Sequence, residues 1–408
     1  MSDPGRPLRK HVPRIDSLKV RNFRALQSFE LKKISPLTAL LGPNGSGKST
    51  VFDVFAFLAE SFTVGLRQAV DKRGRFRELR TRGQEGHITF ELKYREQPSL
   101  PLITYYLAIG ERGHGPFVAE EWLQWKRGSF GRPFRFLEFR EGKGRVISGD
   151  LPGERDDLVE EQLDAPEMLA VNTLGQFARH PRVSALRRFI SGWYLSYLSA
   201  DNTRGQPEAG PQERLTSSGD NLPNVIQFLK EQHPERIAEM LRVLSRRVPH
   251  LERIDAEPMR DGRLLLQVKD APFQRPVPAK FASDGTLKML AYLTFLYDPD
   301  PPPLVGIEEP ENQLHPRLLP ELAEEARMAA ARSHVLVTSH SPFFVDGLKP
   351  EELWVLYRDS DGHSHAGRAS EMKGILDMIK SGASLGQLWL EGFFELGDPL
   401  TNAANPVV

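Results

Sequence analysis

Leu37-Thr-Ala-Leu-Leu41 runs straight into Gly42-Pro-Asn-Gly-Ser-Gly47-Lys48-Ser49-Thr50, after which Val51, Phe55, Leu58, Phe62 and Leu66 recur. The first five residues form the short apolar run of a strand buried on both faces, and the last set has helical spacing. Between them stands a complete G-x-x-x-x-G-K-[ST] phosphate loop, in the strand-to-helix context that it requires. Its glycines let the backbone N–H groups across Asn44, Gly45, Ser46 and Gly47 turn inward around phosphate oxygens. The helix that follows presents its positive N-terminal end. Lys48 is expected to reach the β- and γ-phosphates of a nucleoside triphosphate, and the Ser49 hydroxyl, next to Thr50, to ligate Mg2+.

Two further apolar runs end in chemistry. Pro303-Leu-Val-Gly-Ile-Glu308-Glu309-Pro310 reads as a buried strand whose C-terminal end carries two carboxylates, where an α/β sheet opens on its ligand crevice. Glu308 is expected to hold Mg2+ through water and Glu309 to polarise an attacking water. His334-Val-Leu-Val-Thr338-Ser339-His340-Ser341-Pro342 is a second such strand, and its His340 is placed to hydrogen-bond a γ-phosphate. The other histidines form no ligand-spaced pair, so Mg2+ is the one metal expected.

Outward from these motifs, the chain reads in four parts: 14–150, 151–262, 263–362 and 363–408. Ile15 to Arg24 alternates apolar and polar residues, and residues 86–146 are aromatic or β-branched stretches broken by turns, which predicts successive antiparallel strands. Residues 155–255 turn helical, with the Gly- and Pro-rich stretch 203–220 expected as a mobile loop. Alternation returns at 263–279, followed by helix, strand, helix, strand, the pattern of a parallel sheet with helices on it.

Composition narrows the classes. The 408 residues contain 54 Lys plus Arg against 54 Asp plus Glu, so only local basic clusters argue for nucleic acid. The absence of cysteine removes disulfides, thiolate zinc sites, iron–sulfur clusters and a Cys nucleophile. No apolar run approaches a membrane span, and the polar, basic start has no signal-peptide core, so no membrane partner and a cytoplasmic location are expected.

Together these residues resemble the RecF/SMC-like ABC ATPases, specifically the small single-chain branch related to the ATPase half of OLD-family proteins. The resemblance begins at Asn22-Phe23-Arg24, matching the family's turn beside the nucleotide. It continues through the phosphate loop and Ser283-Asp284-Gly285-Thr286, which stands where the ABC signature lies. Ile307-Glu-Glu-Pro-Glu-Asn-Gln-Leu-His-Pro316 is similar to the Walker B and D-loop block, and Thr338-Ser-His-Ser-Pro342 to the switch-histidine segment. The fold implied is α/β, a P-loop ATPase head with an antiparallel β lobe and an inserted helical subdomain.

The resemblance also implies ATP and Mg2+ as cofactors and a homodimer with ATP at its interface. Lys48 and Ser49 of one subunit would face Ser283 and Gly285 of the other, and Arg24 would lie beside the nucleotide. Gln84 is the candidate Q-loop glutamine sensing Mg2+, with a surface turn as the alternative. Two departures stand out: S-D-G-T replaces S-G-G-Q, and Glu308 stands where Asp is usual, which leaves retained but slow turnover as the expectation. Ser283 follows Lys48 by 235 residues (283 minus 48), more than a transporter ATPase places between these motifs. The intervening sequence lacks both sustained heptads and a Cys-x-x-Cys hook.

What the ATP cycle drives divides into three readings. One is double-stranded DNA engagement in repair or phage defence: residues 67–82 and 126–145 each hold seven Lys or Arg, with a solvated charged face as the alternative. A built-in nuclease is disfavoured, since 68 residues follow His340 (408 minus 340) and Asp359-Ser-Asp361 reads as a hairpin turn. The third is an ATP-gated scaffold controlling a partner effector. Its docking surface would be the dense apolar tail of Leu385, Leu388, Trp389, Leu390, Phe393, Phe394 and Leu396, unless that tail packs back onto the ATPase head.

Overall fold

Strict alternation of buried and half-exposed residues along Ile88–Arg95 makes one face of that strand core and the other surface. The strand lies within an eight-stranded antiparallel sheet. Its strand order is Leu26–Lys32, Arg14–Phe23, Ile88–Arg95, Ile103–Arg112, Gly115–Trp125, Phe134–Arg140, Lys143–Ile147, Leu158–Gln162. The computed structural model describes residues 12–113, 115–126, 133–148 and 158–396. They fall into two compact units, one made of residues up to 36, 53–193 and 358–366, the other of 37–52, 194–357 and those from 367.

In the first unit the sheet is covered by aromatic packing. Phe57 stacks on Phe90 at 5.5 Å between ring centroids, and Tyr94 stacks on Phe189 at 5.7 Å. Each such side chain, taken wholly out of water, contributes about 1.5–3 kcal/mol.

The second unit holds five strands of a six-stranded sheet, ordered Tyr194–Ser196, Leu304–Glu308, His334–Ser339, Leu37–Leu41, Leu353–Arg358. Every residue of Leu37–Leu41 and His334–Ser339 is buried, as parallel strands sandwiched between helices require. The helix Asp284–Leu296 is buried on all sides from Thr286 onward, which its nearly uninterrupted apolar sequence demands. A three-stranded antiparallel sheet of Leu251–Pro258, Leu264–Asp270 and Val277–Pro278 completes this unit.

The division differs from the four segments read in the sequence. Residues 151–262 do not form one helical insert: Leu158–Gln162 extends the antiparallel sheet and Pro181–Ser191 is a helix of the first unit. Leu222–Gln232 and Pro234–Ser245 belong to the second. Within the stretch 155–255, expected to be helical, the helix Pro181–Ser191 ends at Gly192, and Tyr194–Ser196 joins the parallel sheet beside Val305, Gly306 and Ile307. Three residues are too few for periodicity to register; their strand exists because a neighbour supplies the ladder.

The stretch 203–220, expected as a mobile loop, is tied down. Asn224 donates to the carbonyls of Glu208 and Gly210, both at 2.9 Å. Asn221 donates to Arg214 O at 2.9 Å and accepts from Thr216 N at 2.8 Å, while Leu215 is buried. Side-chain amides replace the backbone pairing that its Gly and Pro residues forgo.

Candidate nucleotide site

Three parallel strands end level with one another. Register pairs Glu308 with Thr338, and Thr338 with Leu40, so the phosphate loop, the carboxylate pair and His340 all leave the sheet at one edge of the second unit. Glu309 turns back immediately, in left-handed backbone (φ 43°), with its N–H donating to Thr338 O at 2.9 Å. A non-glycine residue in that conformation is uncommon and clusters at functional turns.

In the loop itself, Gly45 and Gly47 have φ of 83° and 104°, which side-chain-bearing residues rarely adopt. The Lys48 ammonium is buried and donates to Gly42 O at 2.7 Å and Pro43 O at 3.1 Å, folded onto its own loop. Burial pushes its pKa below the ordinary lysine value, opposed by the negative charges of Glu309, Glu311 and Glu308. That order places Lys48 in the field of all three carboxylates.

The block after the strand contains the residue that the sequence reading missed. Glu311 accepts from the Ser339 hydroxyl with both oxygens at 3.0 Å and from His340 N–H at 2.6 Å. His340 Nδ1 lies 3.1 Å from Glu311 and 3.7 Å from Glu309, so the imidazole bridges the two carboxylates. Asn312 donates to Glu309 Oε2 at 3.2 Å, and Lys288, on the signature helix, donates to Asn312 O at 2.7 Å. Burial lowers the Lys288 pKa, and Glu311 and Glu309 oppose it. A motif match assigns roles to the first two carboxylates only, and nothing in one dimension marks Glu311 as the acceptor for another strand's end.

Ser283, where the signature is expected, is the N-cap of Asp284–Leu296 and stays exposed. Its oxygen accepts from Thr286 N at 3.2 Å, and the Thr286 hydroxyl lies at 2.7 Å. If that hydroxyl donates, the Ser283 proton is left to donate outward. Gly285 is required here: a Cβ would come within 2.9 Å of the Gln313 carbonyl, so this turn is closed against the segment after Glu309.

The remaining sequence-derived candidates lie in the first unit. Asn22 and Arg24 have φ of 59° and 49°, and the Arg24 guanidinium pairs with Asp53 at 2.9 Å. Asp53 is also held by Arg73 at 2.7 Å. Gln84 closes a turn by donating its N–H to Thr81 O at 3.1 Å, whereas Ser49 and Glu308, the other two candidates for Mg2+, are in the second unit.

Asp359 accepts from Asp361 N and His363 N and pairs with His365 at 2.7 Å, which makes Asp359-Ser-Asp361 a hairpin turn. Of the basic stretches, Arg135, Arg140 and Arg145 pair with Glu120 or Glu138, and Arg67, Lys72 and Arg73 also meet carboxylates. Arg75, Arg77 and Arg82 are exposed. Arg127 and Arg132 lie outside the described residues.

The residues present fit a nucleoside triphosphate with Mg2+. The Ser46 hydroxyl is buried in the loop with no protein partner, suiting it to a phosphate oxygen. Ser49 and Glu308 are hard oxygen donors of the kind Mg2+ takes, in a site where phosphate and water supply the rest. Among the described residues no group of three or more His, Asp or Glu is placed to hold a metal by itself.

Comparison with known proteins bears on the family and the fold. Residues 14–235, more than half the chain, match the family described as AAA ATPase domain. The chain belongs to that family. Residues 172–346 match a second description, AAA domain, putative AbiEii toxin, Type IV TA system. No curated protein matches. Among solved structures, an SMC head bound to the C-winged helix domain of ScpA superposes with a TM-score of 0.55 at 13% identity, covering 87% of this chain and 97% of that one. The SMC head domain from Thermotoga maritima gives 0.45 at 13% identity, over 87% of this chain and 98% of that one. At 13% identity the first of these likenesses shows the fold alone: this AAA ATPase-family chain has a fold similar to that of an SMC head. None of its described helices is long and apolar enough to cross a membrane.

Proposed function

We propose that this chain binds ATP with Mg2+ at the shared strand edge and hydrolyses it within a homodimer. The observation that carries the reading is the convergence of Lys48, Glu309, Glu311 and His340 on one cluster at the ends of three parallel strands. Lys48 would exchange the carbonyls of Gly42 and Pro43 for β- and γ-phosphate oxygens, while Ser49 and Glu308 would hold Mg2+, the charge that offsets the phosphates. Glu309 would take the proton of the attacking water, and His340 would contact the γ-phosphate. Ser283, exposed at its helix N-terminus, has the geometry to meet the triphosphate held by a second copy. Such a site is complete only in the dimer, so ATP would stabilise association and hydrolysis release it.

Coupling to double-stranded DNA, in repair or phage defence, is the output this reading favours, through the exposed Arg75, Arg77 and Arg82. The ion-paired state of Arg135, Arg140 and Arg145 favours a second reading, an ATP-gated scaffold controlling a partner effector. The SMC head of similar fold, itself bound to ScpA, and the toxin–antitoxin description of the second family match support asking the same of this chain. Steady-state hydrolysis of the purified protein with and without linear duplex DNA, at low and moderate salt, separates them. Salt-sensitive stimulation that disappears in Lys48→Ala and Glu309→Gln supports DNA; turnover indifferent to DNA supports the scaffold. No Lys48-dependent hydrolysis under any condition would sink the enzymatic reading.

A further inference from the structure

One guanidinium brackets the signature serine. Arg204, directly after the helix Ala200–Thr203, donates from a single terminal nitrogen to Ala282 O at 2.9 Å and to the carboxylate of Asp284. The residue before Ser283 and the residue after it are thus held by the same group. Arg204 is itself set in ordered surroundings. Thr203 is fully buried, Arg204 N–H donates to Asp201 O at 3.3 Å, and the following stretch is fastened by Asn224 through Glu208 and Gly210. The Arg204 side chain is 24% exposed and that of Asp284 42%, so the pair lies at the surface where the signature turn emerges.

Asp284 presents a problem that this pair resolves. An acidic residue in the first turn suits the helix dipole, which accounts for its being tolerated in the fold. The same carboxylate repels the oxygens of any triphosphate brought to Ser283. Gly285, by contrast, packs close to Gln313, whose carbonyl a Cβ there would meet at 2.9 Å, so the turn has no room for a side chain at that position. A guanidinium, planar and always charged, neutralises the carboxylate and fixes the carbonyl in one geometry.

We infer that Arg204 is a positioning residue for the signature turn, neutralising Asp284 and fixing Ala282 so that Ser283 and Gly285 of one copy can receive the ATP of another. This rests on the two-subunit reading proposed above. It explains how a signature carrying aspartate remains able to bind phosphate, and it assigns that ability to a residue 79 positions upstream of Ser283 (283 minus 204).

The test uses the full chain carrying Glu309→Gln to hold the ATP state, with dimerisation followed by sedimentation velocity and nucleotide affinity by a fluorescent ATP analogue. Adding Arg204→Gln is expected to weaken ATP-dependent dimerisation about tenfold while affinity for the analogue stays within about twofold. Adding Asp284→Asn to that chain removes the charge Arg204 neutralises and is expected to restore dimerisation to within about threefold, a rescue that a purely structural arginine would not show. Arg204→Lys, which keeps the charge but not the forked geometry, should fall between, and it serves if the Gln variant fails to fold. Dimerisation undiminished in the Arg204 variants, or unrescued by Asp284→Asn, overturns the inference while leaving the two-subunit reading intact. No ATP-dependent dimer from Glu309→Gln alone overturns both.

Discussion

Each unit buries a glutamate that captures the backbone of a neighbouring element, and the two are used differently. In the antiparallel unit, Glu121 is fully buried, accepting from Tyr105 Oη at 2.9 Å, Val171 N at 3.2 Å and Ala170 N at 2.5 Å. Burial raises its carboxyl from the ordinary 4.5 to about 7, against the pull of those three donors. In the parallel unit, Glu311 also takes a hydroxyl and a backbone N–H, with its side chain 9% exposed, the 46% exposed His340 beside it and Lys48 and Lys288 in its field. The difference lies in what surrounds each carboxylate. A sealed carboxylate can only stabilise or destabilise the fold, whereas one at an open strand edge shares its charge with groups that meet a ligand.

The largest effect that would sharpen this contrast is expected from Glu121→Ala. It strands two N–H groups and a phenol in the core and should lower unfolding stability by about 3–5 kcal/mol, read by denaturant titration, with hydrolysis per folded molecule unchanged. Next is the pH dependence of the intact chain. A carboxyl whose folded pKa lies above its unfolded value binds more protons folded, so its contribution is greatest at low pH and is lost as pH rises from about 4.5 to about 7. The loss amounts to at most about 3 kcal/mol, and its absence from stability measured across that range would remove the argument for a sealed site.

Glu311→Ala should do the reverse, cutting kcat about tenfold with little change in stability, because His340 and Ser339 lose their common acceptor at an edge that water can reach. If melting temperature falls and kcat does not, Glu311 is structural like its counterpart. Smallest of all, Lys288→Met should reduce kcat about threefold through the Lys288–Asn312–Glu309 chain of hydrogen bonds, and Asn312→Ala should not add to it, since both act on one network.

Much of the second unit was legible in one dimension. The phosphate loop, the strand before it and the strands ending at Glu308 and Ser339 all announce themselves by unbroken apolar runs bounded by turn or polar residues. Buried parallel strands must read that way. The Asp359 hairpin was legible for the same local reason. Other features had no such signal. Tyr194–Ser196 is a strand only because Leu304–Glu308 lies beside it, and residues 203–220 look loose until Asn221 and Asn224 are seen to anchor them. The tail divides as well: Leu385, Leu388 and Phe394 are buried in the core of the second unit, while Leu390 and Phe393 stay exposed, a partition that apolar density does not foretell.

The sequence by itself determined the chemistry available, because a phosphate loop, paired carboxylates at a strand end and a histidine after a strand are written in contiguous residues whose spacing fixes their local geometry. Only the tertiary structure decided which of them act together. Glu311 with Ser339 and His340, Lys288 with Asn312, and Arg204 with Ala282 and Asp284 lie between 24 and 80 positions apart in the chain. Hydrogen bonds and charge act over a few ångströms of space, and nothing in the order of residues records which distant segments the packing of a sheet will bring that close.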